Sequence, residues 1–411
     1  MRAAAANKDE QREDSSSYFF FAGFPLRPLL KRRTLRSELV PGRVWEFVQP
    51  LGLGFSRVTV NVRMTVVRMR DGGLFVYAPI APTAECRRLI EELGEPVRVI
   101  ILSTNAIEHK ACFGPFCRRY ASDAKVFVVP ETWSFPLDLP LPFLGIRNAK
   151  VLGSDTAAEA EAFGNEFDYE SFIASFSDLG PYVEVSFFHK DTKTLLVTDA
   201  CVYVPREPPP GASVADCLDA ARNGEDKDEA GVADTPRNRQ IGWARTVMQV
   251  LFFGPRDLKL SGWETRDEPA GFDAVAEKVI VSPVVRELVF NEVPLDVRDW
   301  VEKMCAWDFE RIISAHFEAP IEANPDVLRR AFAFAYAAAR AEEEEEEKIE
   351  QEYYSGGKDL NDIAFVEATN MTPDLGALNS LNRILRFVGA KKKNKRKKKQ
   401  GADEANTSSA V

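Results

Sequence analysis

The chain has 411 residues, enough for one large domain or two ordinary ones, and its 45% hydrophobic content with 28 phenylalanines can fill a large core. Net charge is −10, but KKKNKRKKK at 391–399 holds eight positive charges and leaves −18 for everything else. An acidic body of this kind argues against broad nucleic-acid binding by the folded part, and no apolar run approaches the ~18 residues of a membrane span.

Six cysteines (Cys86, Cys112, Cys117, Cys201, Cys217, Cys305) are scattered without a C-x-x-C pair. That spacing argues against a zinc ribbon and for reduced thiols in a reducing compartment, several of them in the core. The N-terminal MRAAAANKDEQREDSSS lacks the apolar region of a secretory signal, and its acids are foreign to a transit peptide.

Residues 1–17 read as disordered. VTVNVRMTVVRMR (58–70) alternates with period 2, and Asp71-Gly72-Gly73 turns it into LFVYAPI, a hairpin. TAECRRLIEELG follows as a helix, with Thr83 as N-cap and Gly94 as stop. VRVIIL (97–102) is a continuous apolar strand leading into the polar loop STNAIEHK, then a helix near 112–121 and the strand KVFVV (125–129). This rhythm argues for an α/β core. Residues 131–182 are less regular. VEVSFFHK, a turn at Asp191-Thr192-Lys193 and TLLVTD form a second hairpin, in which His189 precedes the turn and is expected to be exposed.

Residues 206–239, rich in Pro, Gly and acids, read as a mobile insertion. Helical patterns occupy about 240–253 and 283–306, and the strand FERIISAH (309–316) follows. Asn324-Pro325 opens a long helix that runs into a glutamate tract. Residues 341–411 form a charged extension with an amphipathic helix at 373–388 ahead of Lys391–Lys399. The lysines could be a nuclear-targeting signal, a nucleic-acid contact, an anionic-membrane patch or a solubilising tail. The helix before them favours weak, salt-sensitive membrane attachment among the functional versions.

Three apolar segments deliver ligand-type residues at or beyond their C-terminal ends: VRVIIL leads to Glu108 and His109, TLLVT to Asp199, and RIISA to His316. Open α/β folds build sites at that edge. Two imidazoles and two carboxylates suit one divalent ion such as zinc, iron or manganese. The alternative is ordinary packing and turn-forming roles for the same residues. No phosphate loop or G-x-S-x-G elbow occurs.

RMTVVRMRDGGLFVYAPIAPT, EHK with GPF, VSFFHKDTKTLLVTDA and ISAHFEAPI are similar to a domain family of unknown function from plants, algae and cyanobacteria. That family resembles, at a distance, the metallo-β-lactamases. The resemblance implies an αββα four-layer sandwich over 18–340, with 206–239 and the lysine tail outside it. Laid over Ser103–His109, the motif T-H-x-H-x-D-H puts Thr104 and Ala106 at its first two histidines, Glu108 at its aspartate and His109 at its last histidine. Asp199 falls at the bridging aspartate, His316 at the final histidine, and Gly180 near the remaining one. The resemblance therefore implies loss of the first metal site and survival of a mononuclear one made of Glu108, His109, Asp199 and His316. Glu108 and Asp199 would be its catalytic carboxylates. It implies either a divergent single-metal hydrolase of unknown substrate or a non-catalytic binding or scaffold protein that keeps the fold without metal. It also implies a chloroplast location, with the cytoplasm as alternative.

Overall fold

The computed structural model describes residues 26–28, 30–53, 58–132, 141–175, 180–222, 232–252, 272–341, 344 and 376–387. Residues 1–17 and Lys391–Lys399 lie outside them.

The first sheet contains β1 (Leu26–Arg27), β2 (Leu35–Val40), β3 (Val44–Leu53), β4 (Thr59–Arg68), β5 (Leu74–Tyr77), β6 (Val97–Leu102), β7 (Lys125–Val128) and β8 (Lys150–Val151). Its order is β1-β3-β4-β5-β6-β7-β8, with β2 also on β3. The expected hairpin joins β4 to β5, and β5 through β8 run parallel. The second sheet contains β9 (Phe167–Ala174), β10 (Tyr182–His189), β11 (Thr194–Leu196), β14 (Arg311–Ile313) and β15 (Ile321–Glu322), in the order β15-β14-β11-β10-β9. Between β11 and β14 in the chain, β12 (Val202–Tyr203) and β13 (Val279–Ile280) pair as a separate ribbon.

Side-chain alternation fixes the layers. In β6, Val99 and Ile101 join Phe75, Phe127, Val185, Phe187 and Leu196 in an apolar layer between the sheets. Ile100 and Leu102 face the other way, onto helices. These are α1 (Ala84–Glu91), α2 (Ile107–Tyr120) and, after the short α3 (Thr156–Glu159) and α4 (Val214–Ala221), α5 (Pro236–Phe252). On the far side, Phe188, Leu195 and Ile312 pack against Trp300, Val301 and Met304. Those three belong to α8 (Pro294–Cys305), which follows α6 (Phe272–Val275) and α7 (Pro283–Leu288). The layer sequence is helix, sheet, sheet, helix, the αββα sandwich expected. All six cysteines are free, buried thiols.

Several elements differ from their sequence reading. The helix after β6 begins at Ile107, so Glu108 and His109 occupy its first turn rather than a loop. The 283–306 helix is broken, because Pro294 restarts it as α8. Within the segment read as a mobile insertion, α4 is capped by Ser213 and buries Cys217. Residues 213–221 of that segment are therefore packed structure, and 223–231 lie outside the described residues. The Asn324 side chain caps α9 (Pro325–Ala331) as expected, accepting from Val327 N at 3.1 Å.

Finally, α10 (Gly376–Phe387) lies on α7, with Leu378 fully buried and Asn382 Nδ2 donating to Glu287 O at 3.1 Å. Leu378 therefore docks this helix on the domain, while Leu381 and Leu385 stay half-buried. No described helix is long and apolar enough to cross a membrane.

Candidate metal centre

β10 registers the two halves of the site. Its first residues pair with the connection leaving β6: Val185 N donates to Ser103 O at 2.7 Å and Asn105 N to Val183 O at 3.2 Å. The Thr104 hydroxyl donates to Val183 O at 2.8 Å, and the Asn105 amide bridges Val183 N and Pro181 O at 3.1 and 2.6 Å. Thr104 and Asn105 are thus spent on stitching the start of α2 to the second sheet. Glu108 and His109 project from that start.

Asp199 lies three residues beyond β11, and His316 three beyond β14, the parallel neighbour of β11. Parallel pairing brings both loops out at one edge of the sheet. The His316 loop is gripped from the first sheet. In β4, Val60, Val62, Met64 and Val66 face the helices, which turns Asn61 and Arg63 toward the second sheet. His316 Nδ1 lies 2.8 Å from Asn61 O, and the Asn61 side chain accepts from Phe317 N and donates to Phe317 O, both at 2.8 Å. Arg63 N donates to Ala315 O at 2.7 Å, while its guanidinium donates to Ser314 O and, at 2.7 Å, to Phe317 O. Glu46 neutralises that buried charge at 2.6 Å.

These supports bring all four expected residues together. One ligand atom from each of Glu108, His109, Asp199 and His316 lies within 4.8 Å of every other. His316 Nε2 is 3.3 Å from Asp199 Oδ1, and the two imidazole rings are 5.5 Å apart between centroids. Four donors around one ion at roughly 2.0–2.2 Å stand about 3.3–3.6 Å apart in tetrahedral geometry. The His316–Asp199 pair already meets that separation at 3.3 Å, and the other donors, all within 4.8 Å of one another, would close by up to about 1 Å around an ion. Two imidazoles with two carboxylates also form a donor set suited to zinc, iron or manganese, so the residues fit one such ion.

The electrostatics separate the four groups. Burial pushes His109 down to about 4, with Asp199 opposing and His316 reinforcing, so its ring is neutral at pH 7 and has a lone pair to offer. Among the described residues neither of its ring nitrogens has a hydrogen-bond partner, although the residue is 1% exposed. Burial and the charge of Asp199 hold Glu108 above the ordinary carboxylate range. Burial alone would depress His316 and raise Asp199, but their mutual hydrogen bond and attraction reverse both shifts.

A second cluster, Glu166, His189 and Asp191, also gathers ligand-type atoms within 4.8 Å. Arg43 already supplies its cation, 3.1 Å from Glu166 and 2.9 Å from Asp191, and Arg70 also pairs with Asp191. His189, expected at the surface, is fully buried and packs its ring, tilted by 30°, against Phe167 at 4.7 Å between centroids. The preceding strand is covered on both faces, so alternation does not carry this histidine to solvent.

Sequence reasoning missed Asn61, Arg63 and Glu184. The last is a fully buried carboxylate on β10 that accepts from Thr198, Asp199 and Ala200 backbone N–H groups.

Residues 41–270 and 261–334 match the model of a family described as Domain of unknown function (DUF4336). The chain belongs to that family. No curated protein matches it. Among solved structures it is similar to a metallo-beta-lactamase from Pontibacter korlensis, at 10% identity and a TM-score of 0.32, over 73% of this chain and 99% of that one. It is also similar to a flavo di-iron protein mutant from Thermotoga maritima, at 10% identity and a TM-score of 0.40, over 74% of this chain and 62% of that one. A third is a putative diflavin flavoprotein fragment from Nostoc sp., at 12% identity and a TM-score of 0.39, over 76% and 99% of the two chains.

Proposed function

We propose that this DUF4336 chain is a single-metal protein with the construction of a divergent hydrolase, its ion held by His109, Asp199 and His316 with Glu108 as a fourth ligand or base. The observation that carries the reading is His109. A buried imidazole with two unpartnered nitrogens costs about 1–3 kcal/mol, and here it stands within ligand reach of two acids and a second imidazole. A divalent ion in such a site supplies Lewis acidity that makes a bound water nucleophilic near neutral pH. The chain's own contributions are separable. Neutral His109 offers a lone pair without deprotonation. Asn61 fixes the His316 ring through Nδ1 and leaves Nε2 toward the site. Glu108, its carboxyl raised toward neutrality, is suited to exchange a proton with a nearby water.

A second reading has its own support. Both His316 nitrogens have partners without any ion, Asn61 O at 2.8 Å and Asp199 at 3.3 Å. This favours a binding or scaffold protein in which a charged His316–Asp199 pair fills the site.

Elemental analysis of natively purified protein separates the two. The metal reading expects close to one equivalent of zinc, iron or manganese, lost in a folded Asp199→Ala variant. Metal-free wild-type protein of normal stability refutes it.

A further inference from the structure

We propose that Glu184 is the positioning residue of this centre: an internal carboxylate, not itself a ligand, that fixes the Thr198–Ala200 turn and so aims Asp199. The proposal rests on the metal reading above and adds how the site is held in shape.

Glu184 lies in β10 opposite Phe172 of β9, on the face that the α8 layer covers. A carboxylate there would be costly if unpaired. Instead, Oε1 accepts from Thr198 N at 2.7 Å and Ala200 N at 3.2 Å, while Oε2 accepts from Asp199 N at 3.2 Å and the Tyr182 hydroxyl at 2.6 Å. Four donors match the roughly four lone-pair sites of a carboxylate, which leaves none to coordinate an ion. Three successive N–H groups converging on one anion form a concave nest of the kind that binds external anions; here the chain fills it from within.

The consequence for the site is geometric. Strand β10 already holds the start of α2, with Glu108 and His109, through Ser103–Asn105. Through the Glu184 side chain the same strand also holds the turn carrying Asp199. One strand therefore sets the spacing between ligands far apart in sequence. The backbone of Asp199 is pinned at its own N–H and on both flanks, so its side chain reaches His316 from a fixed origin.

Glu184→Gln tests this at nearly constant volume. If its amide oxygen serves Thr198 and Ala200, the NH2 group faces the Asp199 N–H, donor against donor. Full-length wild type and variant are compared by Co(II) titration with the visible Co(II) spectrum, by circular dichroism, and by hydrogen exchange of amides 198–200. The expected result is a folded variant that binds Co(II) 10- to 100-fold more weakly. At saturation its Co(II) spectrum is altered, and amides 198–200 exchange at least tenfold faster. Wild-type uptake matched by Glu184→Gln in affinity, spectrum and exchange overturns the positioning role alone. Wild-type protein that takes up no Co(II) overturns the metal reading and this role with it. Should Glu184→Gln not fold, Tyr182→Phe removes one donor more gently; a several-fold loss of affinity with a shifted spectrum supports the role, and unchanged binding and spectrum overturn it.

Discussion

Replacing Arg63 by alanine attacks the clamp on the His316 loop at its centre. The guanidinium is 3% exposed; it pairs with Glu46 at 2.6 Å and donates to the carbonyls of Ser314 and Phe317. Arg63→Ala leaves Glu46 buried without a counter-charge and two carbonyls without these donors. Breaking a buried pair on one side costs about 3–5 kcal/mol. The lost carbonyl bonds overlap with that figure rather than adding in full, so about 4 kcal/mol is expected. At about 2–4 °C per kcal/mol for a large domain, the melting temperature should fall by roughly 8–16 °C. Lys193→Ala is the control: its partners Asp308 and Glu310 are exposed, and such pairs contribute at most about 1 kcal/mol. The double variant Arg63→Met with Glu46→Leu removes the stranded charge but not the carbonyl deficit, so it should recover only part of the loss. Differential scanning fluorimetry with urea titration reads all four proteins. An Arg63→Ala protein melting within about 2 °C of wild type, or a double variant no more stable than the single one, would refute the reasoning.

Two further expectations concern histidines. In chelator-treated protein, His109→Leu removes two unpartnered buried nitrogens and should stabilise the fold by about 1–2 kcal/mol in urea while abolishing metal uptake; a destabilised variant contradicts the orphaned state of that ring. His189 is pushed down to about 3 by burial and by Arg43 and Arg70, from an ordinary 6.5. Between those values the unfolded chain binds a proton that the folded chain does not. Its contribution is therefore complete above pH 6.5 and is lost progressively as pH falls toward 3, by about 2 kcal/mol at pH 5. Urea midpoints at pH 7.5 and 5 should differ less in His189→Gln than in wild type, and an equal difference refutes the assignment.

The four ligand-type residues were legible because each follows an apolar strand, and strand ends survive uncertainty in everything between them. The β4–β5 hairpin, β6, β7 and the β10–β11 hairpin were legible from periodicity alone. What supports the site was not. Asn61 and Arg63 occupy the polar phase of VTVNVRMTVV, which in a half-buried strand reads as a solvent face. Only the arrival of residues 314–317, some 250 positions later, turns that face into an interior. Glu184 hides for the same reason in VEVSFF, because the α8 layer that buries it leaves no trace in the strand itself. The chain thus disclosed which ligand-type groups gather at the candidate site, while the groups that hold them were encoded in contacts too distant in sequence to leave a local pattern.

The grip of β4 on residues 314–317 bears on how the molecule would register an ion. His316 grows from one sheet, as Asp199 does, and is also anchored to the other, so sliding between the layers would strain the loop that carries it. If the proposed ion binds there, its occupancy and the shear stiffness of the sandwich would be thermodynamically linked. A chain of this construction would report the filling of a centre a few ångströms wide as a change in resilience across its whole width.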